Sequence, residues 1–460
     1  MNFFKKKSLS EIQISTKNSN LKKNLGSLDL IFLGIGAIVG GGIFVLSGLV
    51  SAEYTGPAII ISYCVTGFIS LLMAFFYVEL TTMVPSSAAI YSYSYNIFGE
   101  IIAWLAFWMI LLEFATAASS VAVGWSNYFY DIVAEFLPYK FAVSPFEGGY
   151  FNIISSLLVS VLTLILFLGI NLSKNTSNLL VIIKFATIFF FITFSAKYFD
   201  KENFKDFMPF GLKGLFAGGG LLFYSFNGYS LLSSAVEECR DPVRNLLHGL
   251  IFSVIIAIII YVLTALFLNG AINYQELKNV SNPLVFVFQK HGRENIAYIV
   301  MLGAIFSMVT GLLVNMYAIT RITYSIANDQ LLPDFFTQLR GDAIPYISII
   351  FTGIFVFCLS GLFPLRFLGH ISSISSLINS IILLVLFVQF RRKHYRLTRI
   401  LRVPYVKILL PITFCLISYL LVIQFIRNAQ SIIYFWTILG WIILGSVLYF
   451  IRKIFIQKNQ

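Results

Sequence analysis

The sequence predicts an all-α integral membrane protein with about twelve transmembrane helices. Composition is the first ground. Of 460 residues, 58% are hydrophobic and 17% aromatic but only 11% charged, and the mean hydropathy is +0.86. A soluble domain carries roughly 25% charged residues. Apolar runs of roughly 20 residues, the length that crosses a bilayer, recur along the chain and are the second ground. The third is the placing of the positive residues behind the net charge of +12. Lys5, Lys6, Lys7, Lys22 and Lys23 precede the first run, and Arg391, Arg392, Lys393, Arg396, Arg399 and Arg402 cluster late. Basic residues beside spans set topology and meet anionic lipid, so the charge requires no nucleic acid.

The runs fall near residues 28–50, 56–83, 98–130, 151–170, 177–197, 214–236, 248–270, 294–327, 345–363, 367–390, 404–426 and 431–455. The third and eighth exceed the need of a bilayer and are expected to tilt or extend beyond it. Residues 1–27 read as a cytoplasmic N-terminal tail, 28–197 as a first five-helix repeat and 214–390 as a second, inverted one. Residues 404–455 add two transmembrane helices, and 456–460 form a cytoplasmic C-terminal tail. With twelve spans both termini share a side, and that side holds about twice as many basic residues as the other, which makes it cytoplasmic. The first 27 residues are polar and basic, with no short apolar core and cleavage site of a signal peptide.

Span 1 contains Gly34 to Gly48, GIGAIVGGGIFVLSG. Hydrocarbon offers no substitute for a backbone hydrogen bond, so irregular backbone at membrane depth belongs where it is buried or lines a cavity. The glycines fit two readings, a broken helix that binds ligand or close helix packing. Span 6 repeats the anomaly: it begins Gly218-Gly219-Gly220, and Ser225, Asn227, Gly228 and Ser230 interrupt its centre. If spans 1–5 and 6–10 are inverted repeats, spans 1 and 6 correspond, and paired breaks mark a transporter's binding site.

Amides at a half-helix start, here Gly40, Gly41 and Gly42, suit a carboxylate. Carbonyls at Ile38 and Val39 suit an ammonium, as do those of Tyr224 and Asn227, with Ser225 adding a hydroxyl. Such a site matches a zwitterion, and an α-amino acid is the obvious candidate. Lys184 lies inside LLVIIKFATIFFFI with no acidic residue in its span. It reads as a proton carrier, as a permanent cation in place of a coupling sodium ion, or as a lysine snorkelling to the interface. Glu113 lines the pocket or makes a structural hydrogen bond, and Asn315 touches substrate or joins helices. Tyr224 and Phe226 close over substrate or pack. Glu79 reads as structural, while Glu237 and Glu238 pair with Arg240 or Arg244 at an inner gate. Cys64, Cys239, Cys358 and Cys415 are scattered, the four histidines are dispersed, and no metal or catalytic constellation appears. The chain reads as no enzyme and as needing no cofactor.

Six stretches then carry a resemblance: GIGAIVGGGIFVLSG (34–48), Tyr77 through VPSSAAIYSYSY to Gly99-Glu100, GWSNYF (124–129), EECRDPVRN (237–245), TRITYSIANDQLLP (320–333) and RILRVPYVKILLP (399–411). Over nearly its whole length the chain resembles the amino acid–polyamine–organocation (APC) superfamily, most closely prokaryotic members of the cationic amino acid transporter family. The resemblance implies a 5+5 inverted repeat of leucine-transporter type, broken at spans 1 and 6, with two extra C-terminal helices. It places the substrate carboxylate on Gly40, Gly41 and Gly42, and the amino group on the main chain at Ile38, Tyr224, Ser225 and Asn227. Phe226 falls near an aromatic gate. Lys184 matches a span-5 lysine of proton-driven members, beside a site closed here by Gly36, Val39 and Ser307.

The chain departs from the family's pattern at Ala88-Ala89, where a glycine is common, and at Asn227 and Ser230. The last two leave side-chain preference open between cationic and neutral. Residues 131–150 hold no cysteine, so no disulfide-linked heavy chain is expected. The expected function is proton-coupled amino acid symport by alternating access in a bacterial inner membrane, energised by the proton gradient. An amino acid exchanger, a polyamine or organic-amine carrier and a non-transporting receptor are the rivals.

Overall fold

A computed structural model of the chain describes residues 6–9, 11, 26–84, 88–169, 174–226, 228–232, 239, 241–341, 344–397, 399, 401–427 and 430–458. Among the described residues the structure is helical, and the β pairing is an isolated bridge between Arg340 and Ile344. Eight helical stretches are long and apolar enough to cross a membrane, and three shorter apolar helices accompany them.

The first apolar run is interrupted, as its glycines predict. Helix α1 (Ser27–Ile38) starts at Gly26, whose amide donates to the Asp29 carboxylate at 2.9 Å. It ends at Val39, and the chain resumes as α2 (Gly41–Phe44) and α3 (Leu46–Val50). Helix α4 (Ile59–Met83) follows, then α5 (Ala89–Ile97), α6 (Glu100–Val133), α7 (Ile153–Phe167) and α8 (Lys174–Ser195). The second half repeats this order. Helix α9 (Gly211–Leu222) gives way to a 3₁₀ turn at Phe223–Phe226 and the short α10 (Gly228–Leu231). Then come α11 (Pro242–Ala271), α12 (Pro283–Lys290), α13 (Glu294–Asn328), α14 (Tyr346–Leu362), α15 (Leu365–Lys393), α16 (Val406–Arg427) and α17 (Ser431–Lys458). Local chemistry sets several starts. Asp241 caps α11 ahead of Pro242, and Asn152 caps α7 by accepting from the Ser155 amide.

Two groups of helices emerge from the packing. Helices α1, α4, α9, α10 and α11 pack on one another, while α6, α7, α13 and α14 form a second group. Helix α8 lies against both α1 and α13, and α15 joins α6 to α16. The buried core runs between the groups, where α1 and α2 meet α13 and α6.

Gly218-Gly219-Gly220, with which span 6 begins, lies inside the regular helix α9. A methyl on Gly218 would overlap Thr55 and stand 2.8 Å from Val50, and one on Gly219 would stand 2.9 Å from the Thr66 hydroxyl. One on Gly220 would collide with Gln424. This triplet serves close approach of neighbouring helices. The interruption comes at Phe223–Phe226, where Ser225 opens the polar centre expected from the sequence.

Candidate substrate site between two helix breaks

The interruptions face each other across a small cavity. Its wall includes Ile38, Gly40, Gly41 and Gly42 from the first break, and Tyr224, Ser225 and Gly228 from the second. Helix α6 contributes Glu113, Ala117 and Val121, and α13 contributes Gly311 and Asn315. Gly228 lets the two breaks touch, because a methyl there would stand 2.5 Å from both the Ala37 carbonyl carbon and the Ile38 nitrogen.

Backbone groups freed by a break need partners, since each unpaired buried group costs about 1–3 kcal/mol. Side chains from surrounding helices supply them. The Lys184 ammonium donates to the Gly36 carbonyl at 3.0 Å and to the Val39 carbonyl. Lys184 is buried. Among the described residues its ammonium meets these carbonyl oxygens and no carboxylate, so the negative end of helix α1 faces this cation. Tyr261 on α11 places its hydroxyl 2.7 Å from the Ile38 carbonyl and 3.0 Å from the Ser225 carbonyl, bridging the two breaks. Tyr63 donates to the Gly42 carbonyl at 3.0 Å and Tyr128 to the Phe44 carbonyl at 2.5 Å.

The amides have a different environment. The first N–H groups of a helix have no partner within it, and α2 begins at Gly41 on the cavity wall. Methyl groups on Gly40 or Gly41 would meet only Val121, at 3.9 and 3.5 Å respectively. Those two positions are open, whereas a methyl on Gly42 would overlap the Ser225 side chain. The Ser225 hydroxyl, also buried at the cavity, has no hydrogen-bond partner among the described residues. Free amides and a free hydroxyl therefore converge on one space.

The remaining candidates divide. Glu113 lies on the wall and accepts from the Asn379 amide at 2.5 Å, so its carboxylate is held as well as placed. Asn315 lies on the wall with its amide donating to the Gly311 carbonyl of its own helix, at 2.8 Å. The Tyr224 hydroxyl pairs with Ser120 at 3.0 Å. Phe226 is buried behind the break, edge-on to Tyr63 and Tyr261 at centroid separations of 6.2 and 4.9 Å, and is not part of the wall. Ser307 donates within its helix, to the Gly303 carbonyl at 2.6 Å. Asn227, Glu237, Glu238 and Arg240 lie outside the described residues. Glu79 binds Arg391 through both oxygens, at 2.7 and 2.6 Å, and the Val403 amide at 2.8 Å, away from the cavity.

Sequence reasoning missed Tyr63, Tyr128 and Tyr261. With 24 tyrosines in the chain, nothing local distinguishes the three that reach a broken backbone.

Comparison with known proteins gives a consistent picture. The family model described as amino acid permease matches residues 25–448. A branched-chain amino acid permease of Bacillus subtilis is 34% identical, covering 97% of each chain. A methylthioribose transporter of the same organism is 32% identical, again over 97% of each. A vacuolar cationic amino acid transporter of Arabidopsis thaliana is 30% identical over 78% of this chain and 61% of its own.

Proposed function

The chain belongs to the amino acid permease family, and on that premise we propose that it is a secondary active transporter coupling amino acid entry to protons. In this reading it works by alternating access in a bacterial inner membrane with both termini in the cytoplasm. The arrangement is a twelve-helix, 5+5 inverted repeat. Its support is the packing of the first, second, sixth and seventh spans as one group and of the third, fourth, eighth and ninth as another, which pairs corresponding helices of the two halves.

One observation carries the coupling: the buried Lys184 ammonium donating to Gly36 and Val39 where helix α1 ends. Protonated, this lysine stabilises the two freed carbonyls and holds the first break in place. Deprotonated, it loses its charge and keeps at most two donors, so the break is released. Proton occupancy is thus tied to the shape of the cavity. The substrate carboxylate takes the amides of Gly40, Gly41 and Gly42 with the Ser225 hydroxyl. Its ammonium draws on the carbonyls that Tyr261 now occupies, and Tyr261 yields them on binding.

The test is uptake by the purified protein in proteoliposomes, across a panel of amino acids, with and without an imposed proton gradient. Lys184→Ala should lower gradient-driven accumulation at least about tenfold, the scale of one lost charge-assisted contact. Thermal unfolding and elution should show a folded protein. Full gradient-dependent uptake in the variant would remove the lysine from the mechanism. Methylthioribose belongs in the panel because a relative bears that name.

A further inference from the structure

A second cavity, of about 670 Å³, opens between α6, α13, α14 and α17 at the end of the bundle where Lys7 pairs with Asp329. We propose that it holds one anionic phospholipid, with the phosphate on Arg452 and an acyl chain along the aromatic wall.

Trp104, Phe107, Trp108 and Phe351 build that wall. Both indole N–H groups are spent on α17: Trp104 donates to the Gly445 carbonyl at 2.7 Å and Trp108 to the Trp441 carbonyl at 2.6 Å. The rings therefore offer the crevice apolar surface alone. Leu448 and Ile451, which stand at its mouth, are exposed on the outer side of α17, so the crevice opens sideways toward lipid.

Its polar groups gather at one end and are underused. Arg452 reaches the Gln330 carbonyl at 3.3 Å and Asp334 at 3.8 Å, but Asp334 is 90% exposed. A pair of that kind is worth little and yields to a better anion. The Arg452 Nε is buried without a partner among the described residues, as is the hydroxyl of Thr323, which is fully buried and lines the crevice. The neighbouring Lys453 is committed to Glu100 at 2.5 Å. A spare guanidinium donor, an unpartnered hydroxyl and an aromatic trough match a phosphate, a glycerol ester and a chain in that order. The inference needs membrane embedding only and stands apart from the coupling role of Lys184.

Native mass spectrometry of the full chain in detergent, titrated with phosphatidylglycerol and with phosphatidylcholine, tests it. The wild type should bind one phosphatidylglycerol about fivefold more tightly than phosphatidylcholine, the worth of one arginine at an anionic headgroup. Arg452→Gln should abolish the preference and Arg452→Lys retain it. Leu448→Trp, at the mouth, should weaken both lipids. Equal binding of the two headgroups by the wild type, or an unchanged preference in Arg452→Gln, overturns the proposal. So does undiminished binding in Leu448→Trp, which decides the matter if the arginine variants fail to fold.

Discussion

Two glycine triplets of the same composition sit in the two interrupted spans and have different surroundings. Gly40-Gly41-Gly42 stands at the end of a helix, where added methyls on the first two would find space beside Val121. Gly218-Gly219-Gly220 lies within α9, where added methyls would strike Val50, Thr66 or Gln424. Gly40 and Gly41 are small although their neighbours leave room, while a methyl on Gly42 would overlap the Ser225 side chain. The second triplet is small because its neighbours leave none. Glycine within a helix weakens it by about 1 kcal/mol relative to alanine, a cost that packing offsets in α9. The lesson is that a glycine run alone does not tell close helix packing from an open cavity wall.

The sharpest way to break this comparison is at the point where the two spans meet. Gly228→Ala drives a methyl into the backbone of Ala37 and Ile38. Backbone on both sides cannot step aside, so the variant should lose about 3 kcal/mol of stability, read as a large drop in thermal unfolding temperature in detergent. Next come the triplets themselves. Gly218→Ala should cost about 2 kcal/mol through overpacking and leave the substrate affinity of the surviving folded protein unchanged. Gly41→Ala should do the reverse, with near-normal unfolding but affinity weakened about tenfold, or 1.4 kcal/mol. Matching behaviour of the two alanines in both assays would dissolve the distinction. The smallest effect is expected from Tyr63→Phe. It leaves the Gly42 carbonyl without its donor and should lower stability by about 1 kcal/mol, visible as a modest shift in the same unfolding assay.

A second contrast lies between the carbonyls and the amides of the first break. Carbonyls at Gly36, Ile38, Val39, Gly42 and Phe44 are each met by a lysine or tyrosine from another helix. The amides that start α2 face the cavity instead. A break is therefore stable on its acceptor side and open on its donor side, which favours an anionic group as the entering ligand.

Much of this was legible beforehand. The broken first span, the intramembrane position of Lys184 and the polar centre of span 6 all follow from residue type set against an apolar background, because a bilayer makes each polar or flexible residue conspicuous. Each of the twelve predicted runs contains a helix or, in spans 1 and 6, helical pieces. What escaped were the tyrosines. Tyr261 meets Ile38 across 223 positions of chain, and an amphipathic aromatic looks the same in sequence whether its hydroxyl bonds a carbonyl or borders lipid.

By itself, then, the sequence determined that this is a helical membrane protein, which spans have polar or glycine-rich centres, and that Lys184 lies within an apolar run. Periodicity, hydropathy and residue type are local properties, and the cost of polar groups in hydrocarbon turns them into strong signals. Only the tertiary structure decided which glycines face a cavity, which hydroxyls satisfy the open carbonyls, and that Lys184 is one of the donors. Those are contacts between helices far apart in the chain, and hydrogen bonds act over about 3 Å. No local property encodes a distance that only the packed bundle sets.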